Sequence, residues 1–175
     1  MRVIAGKAKG FILYMVPGEQ TRPIMDKVKE SLFNILNPYI VSSDFLDLFA
    51  GTGSVGIEAL SRGACFARFL DRHPGAVETV RANLEHTGLE EDTEVWHIDA
   101  FVFLQREPDR QFDFIYVAPP QYKEMWIRSL RMIDENPGWL YDDTWVIAQI
   151  DPVEYQEIEL DHLTLFDRRE YGSTE

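Results

Sequence analysis

Residues Asp47–Leu60 read DLFAGTGSVGIEAL, and this stretch decides the fold. It closes an apolar run, Asp44–Phe49, with the length and composition of a buried strand. Gly51, Gly53 and Gly56 follow in the spacing G-x-G-x-x-G, and Ser54–Arg62 then reads as a helix closed by Gly63. Glycine lets the backbone turn tightly between strand and helix and come close to a ligand, while the first amides of the helix face the same crevice. Asp71 stands twenty residues after Gly51, at the end of the next apolar run, where a carboxylate accepts bonds from both hydroxyls of a ribose. A cofactor containing a nucleoside is therefore expected at the mouth of an α/β sheet.

A dinucleotide and S-adenosylmethionine both fit that loop, and Asp47 separates them. A carboxylate four residues before Gly51 suits the cationic amino group of a methionine and repels a pyrophosphate. Asp99, in WHIDAF, follows the third strand, where it could accept from the exocyclic amine of adenine or cap the next helix. Phe101 is placed near the same ring.

Outward from the loop, the chain alternates. Phe66–Leu70, Glu94–Ile98, Phe112–Val117 and Trp145–Ile150 read as strands. Gly75–His86 (closed by Gly88), a short segment from Ala100, and Lys123–Asp134 read as helices. Before the loop, Thr21 caps a helix that starts near Pro23 and stops at Pro38. Arg2–Ala5 and Phe11–Tyr14, punctuated by Gly6 and Gly10, form a hairpin. The tail from Ile158 alternates like one or two antiparallel strands. The expectation is one domain over residues 1–175: a hairpin extension at 1–20, and a Rossmann-like α/β core at 21–175 whose mostly parallel sheet has helices on both faces.

The 175 residues hold 17 Lys and Arg against 30 Asp and Glu, a formal charge of -13. That balance argues against nucleic acid until it is counted by position. Residues 1–30 carry six basic and three acidic groups; residues 31–175 carry eleven and 27. Arg2, Lys7, Lys9 and Arg22 thus form a basic head on an acidic body. A single cysteine, Cys65, excludes a disulfide framework and is expected to be a buried thiol. The four histidines lack metal-ligand spacing, so no metal is expected. No run of about 18 apolar residues exists, so no membrane span is expected and a cytoplasmic location follows by default.

MRVIAGKAKG (1–10), TRPIMDKVKESLFNIL (21–36), DLFAGTGSVGIEALSRGA (47–64), FDFIYVAPPQY (112–122) and RREYGSTE (168–175) together resemble the RsmD-type 16S rRNA guanine-N2 methyltransferases, almost end to end and in order. The resemblance implies a class I S-adenosylmethionine-dependent methyltransferase with a seven-stranded sheet, one strand of it antiparallel. Asp47, Gly51 and Gly53 would form the cofactor loop, Asp71 would hold the ribose and Asp99 would sit by the adenine. The substrate would be the exocyclic N2 amine of a guanosine in small-subunit rRNA, within an assembled or nearly assembled 30S particle. The basic hairpin and the segment around Arg22 would meet the RNA.

The sequence departs from the family at its catalytic loop. The family has Asp or Asn, then Pro-Pro and an aromatic; here Ala118, Pro119, Pro120 and Gln121 precede Tyr122. Three readings stay open: a working variant using Gln121, Tyr122 and backbone carbonyls; a catalytically weak protein that binds cofactor and ribosome; or a different nucleophile. An oxidoreductase with a nucleotide cofactor is the alternative from another class. The family also continues after Y-G-x-T into a last strand inserted in the sheet, which is expected to be missing here because the given chain stops at Glu175.

Overall fold

A computed structural model describes residues 1–18 and 23–172. The strands are β1 (Asp44–Asp47), β2 (Phe66–Asp71), β3 (Thr93–His97), β4 (Phe112–Val117) and β5 (Leu140–Ala148). The helices are α1 (Asp26–Ile40), α2 (Ser54–Ser61), α3 (Pro74–Thr87), α4 (Ala100–Leu104) and α5 (Met125–Glu135). The sheet order is β3-β2-β1-β4-β5, and every neighbouring pair is parallel. Burial of the central strands on both faces accounts for their near-continuous apolar runs.

Alternate residues feed two cores. Phe45, Phe69, Phe114 and Tyr116 pack with Phe33 of α1, Ile57 of α2 and Val80 of α3. Leu46, Leu70, Ile115 and Val117 face Phe103 of α4, Ile133 of α5 and Trp139. Gly56 sets how closely α2 approaches the sheet, since a Cβ there would lie 2.3 Å from the Phe69 ring. This is the Rossmann-like α/β architecture expected from the chain.

Several local expectations are corrected. α1 opens at Asp26 rather than near Pro23, and Thr21 and Arg22 lie outside the described residues. It runs past Pro38 to Ile40: the proline forfeits one N–H bond to the preceding turn, and burial of Leu36 and Ile40 outweighs that loss. β5 begins at Leu140, five residues early, with an irregularity where Phe112 pairs Leu140 and Phe114 pairs Trp145. The tail, residues 156–172, forms no strand. The backbone N–H groups of Asp161, His162 and Leu163 donate to the Asp134 carboxylate instead of to a ladder. The antiparallel strands expected in the tail are therefore absent among the described residues, whose sheet has five strands rather than the seven that the resemblance implied. Cys65 is exposed rather than buried, since it precedes β2 at the amino edge of the sheet, beside the Ser42 carbonyl and Asp44.

The N-terminal segment makes one antiparallel bridge, Arg2 to Ile12, and buries Val3, Ala8 and Leu13. So thin a ribbon leaves backbone groups that the helices must satisfy. Glu58 of α2, wholly buried, accepts from the N–H groups of Ile4 (2.9 Å) and Ala5 (3.1 Å) and from Arg62 Nε (2.8 Å). Ser61 Oγ accepts from the Ala8 N–H and donates to the Ala5 carbonyl. Buried Lys29 of α1 lies 3.5 Å from Glu58 and donates to the Arg2 carbonyl and to Ser54 Oγ. Burial lowers its pKa, opposed by Glu58. On α3, Asn83 accepts from the Tyr14 N–H (2.7 Å) and donates to the carbonyls of Tyr14 and Thr52.

Candidate active site

β1 is flanked by β2 on one side and β4 on the other, so the chain's direction of winding reverses there and opens a crevice beyond the carboxyl ends of the strands. The expected site residues gather at that edge. Asp47 ends β1, Asp71 ends β2, Asp99 follows β3 by two residues, and Ala118 follows β4.

Asp47 is 1% exposed, and its Oδ1 has no hydrogen-bond partner. Burial pushes its carboxyl up to about 7 and the Asp71 charge adds to this, while the N–H groups of Phe49 and Gly56 pull it down. A buried acceptor without a donor is costly, and an ammonium group supplies the donor and the opposite charge together. The site thus fits the amino-acid end of S-adenosylmethionine. Gly51 (φ +56°) and Gly53 (φ +81°) take left-handed conformations as the chain turns into α2.

Asp71 also holds the loop. Its Oδ2 accepts from the Gly51 N–H at 3.0 Å and its Oδ1 from the His73 N–H at 2.9 Å, which leaves each oxygen a second lone pair for a ribose hydroxyl. Asp99 caps α4 through Oδ1, accepting from the N–H groups of Phe101 (2.8 Å) and Val102 (3.2 Å). Both roles considered for it are compatible, because Oδ2 makes neither of these bonds. Phe101 is 7% exposed, packed edge-on against Phe49, with the Arg128 guanidinium 3.9 Å over its ring.

In the loop after β4, Ala118 and Pro119 are half-buried, and Pro120, Gln121 and Tyr122 are exposed. Tyr122 has a φ of +64° and Glu124 of +50°, conformations that strain non-glycine residues. Tyr122 is tied down by its N–H, which donates to Glu154 Oε1 at 2.6 Å, and by its hydroxyl, which donates to Asp151 Oδ2 at 2.8 Å. The Asp151 carboxylate raises the pKa of that hydroxyl. Tyr122 nonetheless remains 66% exposed at the loop tip.

Of the basic head, Lys7 and Lys9 are exposed, Arg2 lies 3.8 Å from Asp26, and Arg22 is outside the described residues. The head is seated beside the glycine loop, because Asn83 bridges Tyr14 to the Thr52 carbonyl. Glu58, Lys29, Asn83 and Arg128 were missed by sequence reasoning. Glu58 alone had a signal, as the one charged residue in SVGIEAL. Among the described residues, no group of three or more His, Cys, Asp or Glu could hold a metal, and no helix is long and apolar enough to cross a membrane.

The family described as conserved hypothetical protein 95 matches residues 1–175. The chain is 39% identical to "Putative rRNA methyltransferase YlbH" of Bacillus subtilis, over 99% of this chain and 95% of the relative. It is 36% identical to "Ribosomal RNA small subunit methyltransferase D" of Haemophilus influenzae, over 85% of this chain and 78% of the relative. The solved structure of "Putative methyltransferase yhhF" from Escherichia coli superposes with a TM-score of 0.85 at 30% identity, covering 99% of this chain and 93% of that one. With the glycine loop, the acids at the strand ends and the loop after β4 in one crevice, and with a match over its whole length, the chain belongs to the conserved hypothetical protein 95 family, the RsmD-type methyltransferases.

Proposed function

We propose that the chain methylates the exocyclic N2 amine of a guanosine in small-subunit 16S rRNA, in the cytoplasm, on an assembled or nearly assembled 30S particle. Residues 1–20 act in this proposal as an RNA-facing extension of a core spanning residues 21–175. Asp47 carries the reading: a buried carboxylate with an orphan oxygen suits a cationic methionine amino group and disfavours a dinucleotide. The RNA class is supported by relatives named small-subunit rRNA methyltransferases.

When bound, S-adenosylmethionine supplies a methyl group on a cationic sulfur, which keeps the electron pair of the broken bond as the amine lone pair forms the new N–C bond. The chain's own residues do the rest. Asp47 holds the amino group, Gly51 and Gly53 let the backbone approach, Asp71 takes the ribose, and Asp99 with Phe101 takes the adenine. Tyr122 stacks on the flipped base, and the carbonyls of Ala118–Gln121 hold the amine. Arg2, Lys7, Lys9 and Arg22 meet RNA phosphates. Of the six basic groups in residues 1–30, Lys29 is buried against Glu58, and the five others against three acidic groups are few for gripping naked RNA, so the shape of the particle supplies what charge does not.

The test is methyl transfer by the purified chain to 30S particles from cells lacking its gene, read as N2-methylguanosine by mass spectrometry of digested rRNA. One added N2-methylguanosine per particle is expected. No gain, with S-adenosylhomocysteine bound normally, overturns the substrate assignment.

A further inference from the structure

An amine on an aromatic ring is a weak nucleophile because its lone pair is delocalised into the ring. Acceptors on its N–H bonds hold it so that the lone pair points at the methyl group. The Ala118 side chain offers no acceptor, but the register of the sheet brings one beside it. Val117 pairs with Ala148, and the Gln149 N–H donates to the Val117 carbonyl at 2.9 Å, so Gln149 stands opposite Ala118 as the ladder runs out. Residues paired across a sheet present their side chains to the same face, with strands about 4.8 Å apart.

That face is the one Asp47 occupies. Asp47 pairs with Tyr116 across β1 and β4, and the buried Tyr116 hydroxyl donates to Gln149 Oε1. This bond orients the carboxamide: Oε1 is held at the Tyr116 hydroxyl with its second lone pair still free. Burial, with the nearby Asp47, holds the Tyr116 hydroxyl protonated well above its ordinary range, so it remains a donor throughout the working pH. Gln149 is half-buried, at the carboxyl end of the strand beside the loop.

We propose that Gln149 Oε1, aligned by the Tyr116 hydroxyl, accepts one N–H of the substrate amine and so performs the task that Ala118 leaves undone. The proposal rests on the amine reading above and makes Gln149 a catalytic residue and Tyr116 a positioning residue. Gln149 takes up no proton. As the N–C bond forms and the methyl–sulfur pair stays on sulfur, the surplus proton on nitrogen passes to water.

The experiment measures steady-state methylation of 30S particles by the wild type and by Gln149→Ala, Gln149→Leu, Gln149→Glu and the double variant Gln149→Ala with Ala118→Asp. Thermal unfolding and S-adenosylhomocysteine calorimetry run alongside. Gln149→Ala and Gln149→Leu are expected to lower kcat by about ten- to a hundredfold with KM for particles and S-adenosylhomocysteine affinity little changed. Gln149→Glu keeps an acceptor, retains activity and gains an acid limb in its pH profile. Ala118→Asp recovers most of the loss in the Gln149→Ala background. Wild-type kcat in both Gln149→Ala and Gln149→Leu overturns the proposal, as does an equal loss in Gln149→Ala and Gln149→Glu without rescue. A wild type that methylates no particle overturns the substrate reading together with this inference, whereas an active wild type with an unaffected Gln149→Ala overturns this inference alone.

Discussion

Replacing Asp47 by Asn trades function for stability, and pH exposes the trade. The Asp47 carboxyl, ordinarily near 3.8, titrates here at about 7. The folded state therefore holds its proton more tightly than the unfolded state does, and stability falls as pH rises between the two values. The cost is nearly absent at about pH 4, amounts to about 2 kcal/mol at about pH 5.5, and reaches about 4 kcal/mol at about pH 8.5. Asn does not titrate. Any fixed penalty it brings, such as an unpaired amide N–H at the orphan oxygen's position, is the same at both pH values and cancels in the difference. Urea unfolding of the apoprotein at about pH 5.5 and about pH 8.5 should show Asp47→Asn gaining about 2 kcal/mol on the wild type between them. Over the same range, wild-type affinity for S-adenosylhomocysteine should rise with pH, since the ammonium binds the ionised carboxylate. The variant should lose about 2–3 kcal/mol of that affinity, roughly 30- to 150-fold, at the higher pH. A stability gap that stays constant with pH refutes the raised carboxyl, and undiminished affinity in the variant refutes its role at the amino group.

Glu58→Ala strands Lys29 and two backbone donors in the interior and should cost about 3–5 kcal/mol by urea unfolding, with earlier proteolysis of the N-terminal segment; a loss below about 1 kcal/mol would contradict the clamp. Gly56→Ala puts a Cβ 2.3 Å from the Phe69 ring, so a loss of about 1–3 kcal/mol in thermal or urea unfolding is expected, and a neutral result would mean that α2 shifts freely. Tyr122→Phe loses only the exposed bond to Asp151 and should keep kcat/KM within about fivefold, whereas Tyr122→Ala loses base stacking worth about 1–3 kcal/mol in the same steady-state assay. Equal effects of the two Tyr122 variants would assign the residue to holding the loop rather than to stacking.

The strand, glycine loop and helix at Asp44–Ser61 were legible because strand period, turn chemistry and helix signals are each written over a few neighbouring residues. The acids Asp47, Asp71 and Asp99 were legible for the same reason, since each follows or ends a recognisable strand. The tail misled, because its alternation is that of a strand while the Asp134 carboxylate takes the backbone donors that a strand would need. Cys65 misled because an apolar neighbourhood in sequence does not say which end of the sheet a residue occupies.

By itself, then, the sequence determined the alternation of strands and helices in the core, the parallel α/β class, the glycine loop and the departure at Ala118. Only the tertiary structure decided that Glu58 and Asn83 hold a head 54 and 69 residues away. It alone left Asp47 with an unpartnered oxygen and set Gln149 against Tyr116, 33 residues apart. Those relations depend on which faces of which elements meet, and the packing of two cores against one sheet fixes that choice, whereas spacing along the chain does not record it.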